Sequence, residues 1–159
     1  MLGQGLTFEE HTVGATYRTL ARTVSETDIV TFVNLCGFTE PLFVDMEYVA
    51  KESVFPRRLA PGSLTFALSE GLVIQTGLIH GTGMAFLGGD IRVVAPVLEG
   101  DTIHVEVEVA DTRETRKADR GIVTYRHRVL NQRDELVLEV RLQRMIRRRA
   151  ITPGSAEAS

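Results

Sequence analysis

The chain lacks the features that would commit it to several large classes of protein. A single cysteine, Cys36, in 159 residues excludes an intrachain disulfide framework and a multi-cysteine zinc site. A reducing, cytoplasmic setting is therefore expected. No run of about 18 apolar residues is present that would span a bilayer. The opening stretch MLGQGLTFEEHTVG lacks the basic, then apolar, then small-residue order of a signal peptide, so the start is read as intact. A formal net charge of -3 gives no electrostatic reason to expect a nucleic-acid partner. No internal repeat is found, and residues 150–159 lack periodicity and read as a disordered tail.

What is present suits one ordinary domain, over residues 1–149, with 43% hydrophobic and 25% charged residues. Its centre is the stretch from Ala60 to Gly77. Pro61 fits a helix entrance, Ser63 is placed to cap the first free amides, and Gly77 fits a left-handed exit. Leu64, Ala67, Leu68, Gly71, Ile74 and Leu78 make one apolar face, which Phe66, Leu72 and Val73 widen beyond that of a surface helix. Such a helix, about 20 Å long, is expected inside, wrapped by a curved sheet.

Upstream, Tyr17 to Val24 reads as a loose edge strand, and Ser25 with Asp28 three residues on forms a capping box for a helix whose buried face carries Ile29, Val30, Phe32, Val33 and Cys36. Gly37 is expected to end it. Phe38 to Val44 is expected to be an elbow, because Pro41 excludes helix for itself, and Asp45 is placed to cap a short helix from Met46 to Lys51. After Gly77 the apolar period changes from about 3.6 to 2. Met84 to Val94 is a strand interrupted by Gly88-Gly89, which suggests a bulge or a close backbone approach, and Ile103 to Val109, Ile122 to Leu130 and Leu136 to Ile146 form an antiparallel meander.

A long helix followed by a wrapping antiparallel sheet, an α+β arrangement, resembles the hot-dog fold. The motifs resemble those of the MaoC-like (R)-specific enoyl-CoA hydratase and dehydratase family. They are the elbow from Val24 to Asp45, Arg58-Leu59-Ala60-Pro61-Gly62 at the helix entrance, Pro96-Val97-Leu98-Glu99-Gly100-Asp101-Thr102, and the Asp119-Arg120-Gly121-Ile122-Val123 hairpin. The resemblance implies an acyl-CoA thioester ligand, with coenzyme A part of the substrate and no separate cofactor or metal, and a homodimer or higher homo-oligomer. It also implies that the Gly62 amide, with the helix dipole, receives the thioester carbonyl.

At the chemistry the match breaks. Family hydratases carry Gly-Asp-x-Asn-Pro-Leu-His, whose Asp and His activate the water. Here the stretch is Gly37-Phe38-Thr39-Glu40-Pro41-Leu42-Phe43, and the family's His before the helix glycine is Pro61. Phenylalanine transfers no proton. Phe38, Phe43, Pro61 and Ser63 are left as substrate-binding candidates, with the two Phe walling an apolar pocket. Three residues could substitute in catalysis beside Gly62. Glu40 is the first choice, against an elbow carboxylate bonded to local amides or to Arg57 or Arg58. Asp45 competes with its own role as a helix cap, and His80 in the loop after the helix with a structural or surface histidine.

The remaining candidates read as structural. Cys36 suits packing, His104 shares the polar face of its strand and is expected to be solvated, and His127 shares a face with Tyr125 and Val129 that is buried or at an interface. Arg147-Arg148-Arg149 could meet CoA phosphates or simply end a strand. Three functions remain open: a hydratase or dehydratase relative with an altered catalytic set, a non-catalytic acyl-thioester binder or partner subunit, and a hot-dog thioesterase in which Glu40 or Asp45 activates water.

Overall fold

Helices begin where an acceptor or a proline deals with the free amides of the first turn. In the computed structural model, which describes residues 3–149, helix α1 (Glu26–Cys36) opens on the expected capping box. The Ser25 hydroxyl accepts from the Asp28 amide at 3.1 Å, and the Asp28 carboxylate accepts from the Ser25 amide at 2.9 Å. It closes at Gly37, left-handed at φ 71°. Ile29 and Val33 are its buried residues. Cys36, expected inside, is exposed, because the last turn, with Leu35 82% exposed, runs past the edge of the core.

The elbow contains a helix that Pro41 was expected to exclude. Pro41 occupies the first position of α2 (Pro41–Val44), where its missing N–H would have had no helical partner anyway. Asp45 Oδ1 accepts from the Glu47 and Tyr48 amides, each at 3.0 Å, and so caps α3 (Met46–Lys51) as expected. The central helix is α4 (Gly62–Gln75). Ser63 does not cap it, since Pro61 holds the N-cap position and no side chain bonds the first turn. The first intrahelical bond runs from the Thr65 amide to the Pro61 carbonyl at 3.0 Å.

All strand pairs are antiparallel. The expected strand from Tyr17 to Val24 is split into β1 (Thr16–Arg18) and β2 (Arg22–Thr23), both paired with β4 (Thr102–Glu114). Between them Thr19 turns its hydroxyl to the Val105 amide at 2.9 Å and so replaces the lost ladder bond. The sheet runs β1-β4-β5-β6-β3, with β5 (Arg120–Leu130), β6 (Leu136–Arg147) and β3 (Gly83–Val93) at the far edge. The bulge is where expected, as a register shift between Phe86 and Gly88, with Gly88 at φ 119°.

The core lies between one face of this sheet and α4. Val105, Val107, Val109, Tyr125, Val140 and Leu142 are buried there. The side of α4 that meets them carries Leu64, Thr65, Ser69, Leu72 and Val73. This differs from the expected face, for Ala67 is exposed and Ile74 is 56% exposed. An all-round apolar helix has no preferred side in sequence, and one sheet covers only one of them. His104 also departs from expectation. It is 6% exposed, closed over by the turn that holds Asp134 and by Arg18, and burial pulls its imidazole below the ordinary value. Among the described residues no helix is long and apolar enough to cross a membrane. The tail at 150–159 lies outside the described residues.

The chain's start is strapped across the sheet. The Gly5 amide donates to the His80 carbonyl at 2.8 Å, and the Phe8 ring lies against Gly121 of β5. A Cβ at Gly121 would overlap that ring. Gly121→Ala is therefore expected to cost about 1–3 kcal/mol, read as a lower urea midpoint. An unchanged midpoint would mean that the Phe8 turn does not depend on this contact.

Candidate acyl-binding cleft

A cleft of about 300 Å³ opens at the N-terminus of α4, lined by Phe55, Leu59, Gly62, Thr65, Val93 and Val137 among others. Its position follows from two local pairings. Leu59 bridges to Leu98, and the Ala60 amide donates to the Val97 carbonyl at 2.9 Å, so the entrance loop runs beside 97–99. The Gly-Asp-Thr turn holds that partner segment in place. Asp101, 4% exposed, accepts from the Leu98 amide at 2.8 Å and pairs with Arg57 at 3.5 Å. Gly62 then presses on β3, where an added Cβ would stand 2.9 Å from Val93 Cγ2.

The amides of Gly62, Ser63 and Leu64 have no acceptor within the helix and no side-chain cap. They carry the positive end of the α4 dipole. The surrounding wall is of Val, Leu, Ala, Pro and Phe, so no charged side chain of the cleft competes with this small positive field. The arrangement can hold a polarised carbonyl oxygen at the amides with an apolar group in the cleft. Among the described residues no three metal-ligating side chains converge.

Of the catalytic and substrate-binding candidates, only Gly62 lines this cleft, beside Leu59, Ala60, Pro96 and Val97 of the two motifs. Pro61 is buried just before Gly62, and Ser63 is exposed and points elsewhere. Phe38 and Phe43 do not line it; they stack with Phe32 in an aromatic cluster, with ring centroids 5.6 Å (Phe32 to Phe38) and 5.9 Å (Phe38 to Phe43) apart. Arg58 ties that cluster down by donating to the Phe43 carbonyl and to Glu26, both at 3.0 Å.

The titratable candidates do not converge within one chain. Asp45 is committed to capping α3. Glu40 is exposed just before α2, and neither Arg57 nor Arg58 bonds it, because both are engaged elsewhere. His80 is exposed beyond the opposite end of α4, a helix length of about 21 Å from Gly62. At the end of β6, Arg148 is held by Glu9 at 2.8 Å and Arg149 by Glu10 at 3.4 Å, which is the strand-end reading.

Sequence reasoning missed a buried ionic cluster. Glu70, on the side of α4 between Phe66 and Ile74, pairs with Arg144 of β6, and its Oε1 lies 3.4 Å from Nδ1 of the fully buried His127. Beside it the Tyr125 hydroxyl and His11 Nε2 share a bond of 2.7 Å. Burial raises the Glu70 pKa, but His127 and the Arg144 guanidinium outweigh it and hold the carboxyl below its ordinary value. The signal was available, since Glu70 is the one charged residue of α4. His127 is buried on the face it was expected to share with Tyr125 and Val129, but its meeting with Glu70 and Arg144 could not be read before the strands were placed.

Glu70→Gln leaves Arg144 buried without its counter-charge, and a loss of about 3–5 kcal/mol is expected in a denaturant titration. The pH dependence has a definite sign. Glu9, whose carboxyl falls to about 2 despite some burial through its bonds to Arg148 and Arg149, and Glu70 both have lowered folded values. Their contribution is full above the ordinary value of 4.5 and lost as pH falls through the folded values. The melting temperature is expected to fall as pH drops below 4.5 toward 2, and less steeply in Glu9→Gln.

Comparison with known proteins agrees with the fold. A family described as "MaoC like domain" matches residues 8–131. A 3-hydroxybutyryl-CoA dehydratase of Methylorubrum extorquens is 32% identical over 134 residues, 84% of this chain and 80% of that protein. An (R)-specific enoyl-CoA hydratase of Rhodospirillum rubrum is 35% identical over 107 residues, 67% of this chain and 69% of that protein. Among solved structures, a protein of Archaeoglobus fulgidus described as a monoamine oxidase regulatory protein superposes with a TM-score of 0.86 at 36% identity, covering 94% of this chain and 99% of its own. A Mycobacterium tuberculosis protein described as a double hot-dog fold matches at TM-score 0.81 and 22% identity, over 96% of this chain and 47% of its own, which bears on the fold alone.

Proposed function

The chain belongs to the MaoC-like domain family, and from that premise we propose that it binds acyl-CoA thioesters with the carbonyl on the Gly62 amide and the acyl group in the cleft. The observation that carries this reading is the uncapped first turn of α4 opening onto an apolar wall. Ordinary helices satisfy those donors with a side chain or water. Here they suit a ligand oxygen that gains negative charge, as a thioester carbonyl does when water adds to an enoyl ester or leaves a 3-hydroxyacyl ester.

The reaction proposed is hydration or dehydration of that kind, with Glu40 as its acid or base. Glu40 is the one carboxylate of the altered motif, and it has no bonding partner among the described residues. A second reading has its own support. Phe38 and Phe43, which pack with Phe32 in one aromatic cluster, stand at the motif positions where family hydratases carry proton-transfer groups, which favours a binder or a partner subunit without turnover.

We also propose that the functional unit is a homodimer or higher assembly. Ala67 and Ile74 of α4 and Met84, Phe86, Ile91 and Val93 of the edge strand β3 form an uncovered apolar side, with Phe86 48% and Val93 57% exposed. A second copy of the same surface would cover it and pair the open strand edge. Static light scattering at micromolar concentration is expected to give at least twice the chain mass of 17.6 kDa. A monomer would overturn this.

Butenoyl-CoA and 3-hydroxybutyryl-CoA are expected to raise the melting temperature. Proline is tolerated at a first helical position yet has no N–H, so Gly62→Pro is expected to abolish the rise, whereas Gly62→Ala, which meets Val93 equally, retains it. Loss in both variants would mean that packing, not the amide, matters. Enoyl absorbance and free thiol separate the functions. An enoyl change lost in Glu40→Gln supports hydration, thiol release indicates a thioesterase, and a melting shift without either indicates a binder.

A further inference from the structure

The cleft wall contains one polar side chain, Thr65, among Phe, Leu, Ala, Val and Pro residues. It is 3% exposed. A buried hydroxyl in such a wall needs a partner, and in a helix the usual one is a carbonyl three or four residues back. Two other hydroxyls at α4 do this well: Ser69 donates to the Phe66 carbonyl at 2.7 Å and Thr76 to the Val73 carbonyl at 2.6 Å. Thr65 does not. Its hydroxyl stands 3.5 Å from the Pro61 carbonyl, the outer limit for such a bond, and that carbonyl already accepts from the Thr65 amide at 3.0 Å. The lone pairs of its oxygen receive no donor among the described residues.

The placement gives this spare hydroxyl a direction. Thr65 is three residues after Gly62, so it is on the same side of α4, one turn below the free amides, and helical side chains lean toward the N-terminus. The cleft thus offers two polar features about 5 Å or less apart along the helix, an amide set that donates and a hydroxyl that accepts or donates, with apolar walls otherwise. A plain acyl thioester uses only the first. An acyl thioester with an oxygen on C3 carries its two polar groups two carbons apart and uses both.

We infer that Thr65 is a specificity-determining residue, whose hydroxyl bonds the C3 oxygen of a 3-hydroxyacyl thioester while the Gly62 amide holds its carbonyl. This rests on the cleft being an acyl-thioester site, as proposed above. Saturated acyl esters then leave the buried hydroxyl without a partner and bind less tightly.

The test is isothermal titration of the wild-type protein, Thr65→Val and Thr65→Ser with 3-hydroxybutyryl-CoA and butyryl-CoA. The wild type is expected to bind the 3-hydroxy ester about tenfold more tightly, Thr65→Val to lose that preference with butyryl-CoA bound no less tightly than by the wild type, and Thr65→Ser to keep it. Equal wild-type affinity for the two esters overturns the inference without any variant and leaves the cleft reading intact. Equal weakening of both esters in a folded Thr65→Val also overturns it, since that is a packing effect. Binding of neither ester by the wild type overturns the acyl-thioester reading, and the role of Thr65 falls with it.

Discussion

A helix that is apolar on every side needs cover on every side, and the sheet of one chain covers only one. That constraint organises this protein. Leu64, Leu72 and Val73 meet the sheet and fix which face of α4 is inward. Ala67 and Ile74 are left on the other side next to the open edge of β3. Burial on one side sets the height of α4 over the sheet, and the Leu59 to Leu98 bridge sets where its first turn emerges. The cleft is the space left between those two requirements.

The electrostatics follow from the same placement. The free amides of the first turn of α4 supply a positive site from backbone alone, with no titratable group needed. Two turns further on, Glu70 lies where an apolar residue would be ordinary and is stabilised only because Arg144 and His127 reach it from two different strands. Buried pairs of this kind add little net stability, but they penalise any shift of helix against sheet that would separate the charges. Phe86, whose ring lies 5.6 Å from the Arg144 guanidinium, extends that coupling to the edge strand.

How much could be read from sequence depended on how far apart the interacting residues are. The Ser25 box, the Asp45 cap and the Gly37 exit involve neighbours a few residues apart, and each stands where the residues placed it. Two local readings failed: Pro61 took the cap position and left Ser63 inside the helix, and Pro41 opened a short helix instead of excluding one. The rest was long-range. His104 is buried by a turn that joins two other strands, Cys36 is exposed because the core ends before it, and the face of α4 was set by a sheet not yet placed. For the site, Gly62 was legible from its motif, whereas the convergence of Glu70, His127 and Arg144 required the register of β5 against β6.

The strap at the chain's start has a consequence for how the molecule is made. Phe8 lies against Gly121, Gly5 bonds the turn at His80, and Glu9 holds Arg148, a partner 139 residues away. Contacts of such separation close the longest loop in the chain and pay their entropy late. Residues 5–10 are made well before β6, so the contact of Glu9 with Arg148 is unavailable to them until β6 follows. The two carboxylates of the strap cannot meet their arginines until Arg148 and Arg149, just beyond β6, have been made.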